Sequence, residues 1–196
     1  AMRERGYRPN FAGRSLRRGR FKTVGVAMFN ITGTGNLDRM EGFAAAAKAL
    51  RDTLGEHPMV MAGMVGANIG WHNAPYVPCP ADARALAQSA AWVEEGRTVI
   101  IPGVCQTSGN ADVMRGEEVQ ALGALASGQV PDNALICHPG THAKWIRIER
   151  GTIASFHTSM TGEIFSLLQK HSILAPQMAG KDTDITAFQA GLDQIA

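Results

Sequence analysis

The sequence has few of the residues that mark disulfide-rich or membrane proteins. It holds three cysteines among 196 residues, which cannot all pair, and Cys79, Cys105 and Cys137 have no zinc-finger spacing. No apolar run approaches the roughly 20 residues that a membrane-spanning helix needs. The polar, arginine-rich N-terminus is also unlike a secretory signal. These absences exclude a disulfide scaffold and a membrane protein, and they predict a cytoplasmic location.

Charge is low overall but unevenly distributed. Residues 1–22 carry eight basic side chains and one acidic side chain, a charge of +7, whereas the other 174 residues carry 11 basic and 16 acidic side chains, a charge of −5. The body of the protein is therefore not a uniformly basic nucleic-acid binder. The basic arm, residues 3–22, can contact nucleic-acid phosphates without sequence preference. The alternative is an arm with no task of its own.

Apolar runs alternate with helical patterns along the rest of the chain. The patterns predict strands over 23–29, 59–64, 98–101 and 134–137, and helices over 41–54, 82–95, 115–126 and 163–171. Two more strands, 144–149 and 152–157, form a hairpin at Arg150-Gly151. The stretches 66–80 and 102–113 are predicted to be long loops, which are often functional. This alternation favours an α/β fold.

The first group of residues with chemical potential is His138-Pro139-Gly140-Thr141-His142-Ala143-Lys144-Trp145. Glycine lets the backbone approach a ligand, and successive N–H groups can form an anion-binding nest. Together with the Thr141 hydroxyl and the Lys144 cation, this pattern predicts a phosphate cradle; the alternative is an ordinary tight turn. Cys137, His138 and His142 match no zinc spacing, so no metal site is predicted.

A second group is Asp112-Val113-Met114-Arg115-Gly116-Glu117-Glu118. Arg115 can grip a carboxylate or phosphate with two parallel hydrogen bonds. Glu117 or Glu118 can accept a proton or bind Mg²⁺. Alternatively, paired acids at a helix start only complement the helix dipole.

A third group follows the predicted strand over 59–64. Gly63, Gly66 and Gly70 have neither the dinucleotide-binding nor the Walker A spacing. The side chains of Asn68, Trp71 and Tyr76 nevertheless suit hydrogen bonding and stacking with a sugar-like ligand. The alternative is a rigid loop around a buried tryptophan.

Five segments in order resemble the 2-dehydro-3-deoxygalactonate kinase family over about residues 35–196. They are MAGMVGANIGWHNAPYVPCPAD, IIPGV, DVMRGEEVQALGAL, HPGTHAKWI and MTGEIFSLLQKHSIL. The resemblance implies ATP- and Mg²⁺-dependent phosphorylation of 2-dehydro-3-deoxy-D-galactonate to its 6-phosphate in D-galactonate catabolism. It also implies a ribonuclease-H-like α/β lobe of the actin, hexokinase and heat-shock-70 ATPase superfamily.

The same resemblance implies roles for individual residues. Glu117 and Arg115 would be catalytic, with Glu118 as the competing carboxylate. The sugar acid would be held by four side chains: Asn68, Trp71, Tyr76 and Arg115. The ATP phosphates would be held by the turn residues Gly140, Thr141, His142 and Lys144.

The segment over residues 4–32, ERGYRPNFAGRSLRRGRFKTVGVAMFNIT, resembles lactose-repressor-type transcription regulators instead. We therefore expect a regulator-like arm and first strand over residues 1–32 and a partial kinase-like domain over 33–196. The family's Asp-Trp-Gly-Thr-Thr phosphate loop is missing from the sequence, so we expect an incomplete lobe. Such a lobe should expose apolar surface, through which the chain can form a homo-oligomer. The alternative function is an inactive kinase fragment with residual sugar-acid or DNA binding.

Overall fold

The computed structural model describes residues 24–28, 36–55, 57–178, 186, 189 and 190. The basic arm therefore lies outside the described residues. The strands are β1 Val24–Met28, β2 Met59–Gly63, β3 Tyr76–Pro78, β4 Ala91–Glu94, β5 Thr98–Ile100, β6 Gly103–Gln106, β7 Asp112–Met114, β8 Ala134–His138, β9 Ala143–Glu149 and β10 Thr152–Ser159. The helices are α1 Asn36–Leu54, α2 Ala83–Gln88, α3 Glu117–Ala126 and α4 Thr161–His171, with a 3₁₀ turn at Met64–Gly66.

The first sheet has the strand order β1-β2-β5-β4, and β1, β2 and β5 run parallel. Helix α1 buries Phe43 and Ala47 in the same apolar cluster as Met59 and Met61 of β2 and Ile100 of β5. Near-continuous apolar runs are typical of parallel strands, although Val60 of β2 is 37% exposed here. The strands predicted over 23–29, 59–64 and 98–101 are confirmed within the described residues.

Two three-stranded sheets, β10-β9-β8 and β3-β6-β7, share the second core. Its fully buried members include Val104 of β6, Met114 of β7 and Ile146 of β9. The predicted β9–β10 hairpin is confirmed, and its turn residues Arg150 and Gly151 have φ values of 49° and 76°. The mixed α/β architecture is thereby confirmed.

Two sequence predictions about local structure are wrong. The helix predicted over 82–95 ends at Gln88, and Ala91–Glu94 form β4, which pairs antiparallel with β5. Pairing with β5 outweighs the local propensity of an alanine- and glutamate-rich stretch. The predicted loops contain β3, β6 and β7, three- and four-residue strands too short to show a period.

The two later helices differ in how much they bury. Helix α3 buries Glu118, Ala121 and Leu122, while Val119 is 37% exposed. Helix α4 buries none of its residues. None of the helices in the described ranges is long and apolar enough to cross a membrane.

Candidate functional site

Strand β7 connects the two groups of residues singled out in the sequence. Asp112 begins the strand and contacts the β9–β10 hairpin, whereas Arg115 follows its last residue and contacts the loop before β3. At about 3.3 Å per residue, the two Cα atoms lie about 10 Å apart. A single short strand therefore sets the spacing between Arg115 and the hairpin.

Arg115 is clamped against the 66–76 loop. Its Nη2 donates to the Ala74 carbonyl oxygen at 2.8 Å, and its guanidinium carbon lies 4.2 Å from the centre of the Tyr76 ring. The second terminal nitrogen, Nη1, is buried and has no hydrogen-bond partner among the described residues. A buried unpaired N–H group is costly, so this nitrogen is a candidate for ligand binding.

Two glycines make room for this arrangement. A Cβ at Gly103 would lie 2.6 Å from a Tyr76 ring carbon and from the Met114 carbonyl oxygen, and a Cβ at Gly66 would lie 3.0 Å from Arg115 Nη1. Side chains at either position would displace the stacked pair. In the sequence, Gly66 stands out only by its spacing from Gly63 and Gly70, and no sequence signal marks Gly103.

Both acidic residues at the start of α3 bind the turn that precedes them. Arg115 N–H donates to Glu117 Oε2 at 3.1 Å, and Gly116 N–H donates to both oxygens of Glu118, at 2.8 and 2.6 Å. Glu118 is 0% exposed, and burial raises the pKa of its carboxyl from 4.5 to about 7, with a smaller contribution from the Glu117 charge. Glu117 is half-buried.

The raised pKa of Glu118 predicts a specific pH dependence of stability. Between about pH 4.5 and 7 the folded chain holds this proton more tightly than the unfolded chain does. The Glu118 contribution to the free energy of unfolding should therefore decrease as pH rises through that window and level off above it. Urea unfolding of wild type and Glu118→Gln at pH 5, 6, 7 and 8 measures this contribution as their difference. A difference that does not vary with pH would contradict the prediction, and Glu95→Gln in an exposed turn is the control.

The phosphate-type turn lies against the start of α4. Glu163 N–H donates to the Thr141 carbonyl oxygen at 3.0 Å, and His142 Nε2 pairs with Glu163 Oε2 at 2.6 Å. Thr161, the first residue of α4, donates its hydroxyl to the Gly140 carbonyl oxygen at 3.3 Å. A Cβ at Gly140 would meet nothing closer than 3.8 Å, so the space beside the turn is open to a ligand.

Lys144 points inward from this turn. It is 5% exposed, and its Nζ donates to the Val113 carbonyl oxygen at 2.7 Å and to Thr158 Oγ1 at 2.6 Å. Asp112 Oδ1 lies 3.9 Å from the same nitrogen and accepts the Thr158 hydroxyl at 2.7 Å. These contacts attach the hairpin to β7. The role of Lys144 as a phosphate ligand stays a prediction.

The remaining predicted ligands lie in the 66–76 loop. Asn68 is exposed, and the half-buried Trp71 packs against the core of the first sheet. Of these three residues, Tyr76 is the one whose ring stacks against the Arg115 guanidinium. Their roles in binding stay predictions.

The groups that the turn at Gly140 and Thr141 exposes can be compared with those that the phosphates of ATP need. Gly140 and Thr141 are exposed and present backbone and hydroxyl groups, which suit a phosphate group, whereas Lys144 is engaged by the protein. No three His, Cys, Asp or Glu side chains within the described ranges form a metal-binding group. Mg²⁺ is commonly held by one or two carboxylates together with phosphate groups, which requires no such cluster of three side chains.

Comparisons with known proteins agree with one another. A family described as 2-keto-3-deoxy-galactonokinase matches residues 10–196. A 2-dehydro-3-deoxygalactonokinase of Escherichia coli (strain K12) is 41% identical over 138 residues, which is 70% of this chain and 46% of that protein. A protein of Rhizobium meliloti (strain 1021) assigned the same activity is 38% identical over 142 residues, or 71% of this chain and 46% of that protein.

A crystal structure from Sinorhizobium meliloti, also assigned as a 2-dehydro-3-deoxygalactonokinase, matches with a TM-score of 0.66 and 33% identity. The match covers 77% of this chain and 51% of that one. The chain thus spans about half the length of these relatives. None of these findings supports the resemblance of residues 4–32 to transcription regulators, and the family match begins at residue 10.

Proposed function

The chain belongs to the 2-keto-3-deoxy-galactonokinase family, and on that premise we propose that its site binds 2-dehydro-3-deoxy-D-galactonate for ATP-dependent phosphorylation to the 6-phosphate. The observation that carries the proposal is the half-buried Arg115, whose Nη1 has no hydrogen-bond partner among the described residues. A sugar acid brings a carboxylate, and a charge-assisted hydrogen bond would satisfy this N–H group. Stacking on Tyr76 and the bond to Ala74 keep the guanidinium in place.

The residues around Arg115 divide the remaining tasks. Glu117 is half-buried, and we assign to it the role of accepting a proton from the attacking hydroxyl. Glu118 is fully buried and hydrogen bonded to Gly116, so it cannot meet a substrate directly. Phosphoryl transfer needs positioning and charge neutralisation more than covalent chemistry, which suits a site built from one clamped arginine and one reachable carboxylate.

ATP would supply the phosphoryl group, with Mg²⁺ neutralising its charge. We propose that Gly140 and Thr141 hold its phosphates, because the turn is exposed and open on the side of Gly140. His142 is held by Glu163, so its part in phosphate binding would require that pair to open. Lys144 contributes by fixing the turn to β7.

Four further features lie outside this site. The ribonuclease-H-like lobe of the actin and hexokinase superfamily is supported by the motif resemblance. The cytoplasmic location is supported by three free cysteines, Cys79, Cys105 and Cys137. The regulator-like character of residues 4–32 and nucleic-acid contact through residues 3–22 stay predictions.

Calorimetry with the purified chain tests the proposal. Titration with 2-dehydro-3-deoxy-D-galactonate should release heat with one site per chain, and the corresponding uncharged sugar alcohol should not bind, because it lacks the carboxylate. Addition of Mg²⁺ and ATP should then yield ADP, followed with a coupled assay, and a sugar phosphate, followed by ³¹P NMR. Equal affinity for the acid and the alcohol, or no binding of either, would contradict the proposed site.

A further inference from the structure

The turn between β7 and α3 is held by a carboxylate that no ligand can reach. Gly116 N–H donates to both oxygens of Glu118, and the side chain of Glu118 is fully buried. A buried carboxylate is retained at a cost, because its charged form loses hydration. Here both carboxylate oxygens of Glu118 accept from the backbone N–H of Gly116, the residue that follows Arg115.

The backbone of this turn has little freedom to relax. Gly116 has a φ of 112°, and a Cβ added to it would lie 3.2 Å from the Gly63 Cα at the end of β2. The turn before α3 and the end of β2 therefore meet backbone to backbone at this point. Any displacement of Gly116 would change the direction in which the Arg115 side chain leaves β7.

We propose that Glu118 is a positioning residue for Arg115: by holding Gly116 it keeps the guanidinium between Ala74 and Tyr76 and beside Gly66, where it would bind the substrate carboxylate. This inference rests on the proposed function, because it assigns Arg115 to the sugar acid. Glu118 acts through Gly116 and Arg115 and does not touch the substrate. It explains why two adjacent acids begin α3 although only Glu117 is accessible.

Few charged groups act on Glu118 in the described part of the chain. Arg115 and Glu117 face it from the turn and from its own helix. Asp112 of β7 is bound to Thr158, and His138 of β8 pairs with Gln120 of α3. The segment Gly63–Gly66, which packs against the turn, brings no titratable side chain.

Ionisation of Glu118 should therefore affect the substrate site. Burial raises the pKa of this carboxyl to about 7. Below that pH the carboxyl is neutral and still accepts from Gly116. Above it, a negative charge appears beside Arg115 and opposes the approach of an anionic substrate. The affinity for the sugar acid should fall as pH rises through about 7.

Calorimetry at pH 6.0, 7.0 and 8.5 with three variants tests the inference. Wild-type affinity should fall by about fivefold across this range, since a nearby like charge is worth on the order of 1 kcal/mol. Glu118→Gln retains an acceptor for Gly116 N–H, so its affinity should match that of wild type at pH 6.0 and stay constant. Glu118→Ala has no charge to titrate either, so its affinity should also stay constant with pH, about tenfold below the wild-type value at pH 6.0 because the turn is released. Glu95→Gln, in an exposed turn, should behave as wild type.

A second measurement needs no substrate. In ¹⁵N-labelled protein the Arg115 Nε–H resonance should titrate with a midpoint near pH 7 in wild type and not in Glu118→Gln. Failure of wild type to bind the sugar acid, with this titration present, would contradict the proposed function and leave the positioning role supported. A folded Glu118→Ala variant whose affinity at pH 6.0 and Arg115 Nε–H resonance both match those of wild type would overturn the positioning role. If Glu118→Ala does not fold, the same two measurements on Glu118→Met, which fills the space but offers no oxygen acceptor to Gly116 N–H, decide the question.

Discussion

Replacing Arg115 with methionine is expected to weaken sugar-acid binding by about 100-fold, which corresponds to about 3 kcal/mol lost from charge-assisted hydrogen bonds to a carboxylate. Methionine keeps an unbranched stem against Tyr76 but has no N–H group for the substrate and no charge. Arg115→Lys keeps the charge but loses the planar fork, so it no longer presents one terminal nitrogen to the Ala74 carbonyl oxygen and a second to the substrate. We expect its affinity to lie between those of wild type and Arg115→Met.

Calorimetric titration of the sugar acid measures both variants, and circular dichroism checks that each is folded. Arg84→Met removes an exposed arginine from α2 and serves as the control for a lost positive charge. It should bind as wild type does. A folded Arg115→Met variant whose affinity lies within twofold of the wild-type value would remove Arg115 from the binding site.

Replacing Gly70 with alanine is expected to destabilise the fold by at least about 3 kcal/mol, the upper range for overpacking. The added Cβ would lie closer than 3.0 Å to the carbonyl oxygens of Met64 and Val65, a distance that real Cβ atoms essentially never show. The backbone cannot easily yield, because Gly70 N–H donates to Ala67 at 2.8 Å and Trp71 N–H donates to Val65 at 2.8 Å. The same loop carries Ala74 and Tyr76, so sugar-acid binding should also decline.

Urea unfolding monitored by tryptophan fluorescence gives the change in unfolding free energy. Gly123→Ala is the matched control, since this glycine lies inside α3 and a Cβ there would meet nothing within 4 Å. Alanine in a helix interior should raise stability by about 0.5–1 kcal/mol. Equal effects of the two substitutions would show that the close approach at Gly70 carries no energetic cost.

The sequence predicted those elements whose signal is local. The apolar run around Val24–Met28 and the Arg150-Gly151 turn each carry their own structural information, the first in hydrophobicity and the second in backbone preference. Strands β3, β6 and β7, by contrast, form because they pair with one another across the sheet. Tyr76 pairs with Gly103 and Cys105 with Val113, and no three-residue pattern encodes such partners.

The site was predictable in residue type but not in arrangement. Arg115 stood out because arginine suits carboxylates, yet its stacking on Tyr76, 39 positions earlier, depends on the return of the 66–76 loop to β7. Burial of Glu118 was also hidden, since a glutamate at a helix start is usually solvated. Lys144 was singled out for its charge, but its partner Asp112 could be identified only once β7 was placed beside the hairpin.

The contacts of Lys144 and Thr158 with Asp112 have a thermodynamic consequence for the binding of two ligands at once. It joins the Gly140 turn to one end of β7, while Arg115 stands at the other end. If a phosphate group on the turn shifts β7 and so changes the affinity of Arg115 for an acid, linkage requires the acid to change phosphate affinity by the same factor. Whether the two ligands bind cooperatively or antagonistically would then depend on the three-residue strand β7 that connects their sites.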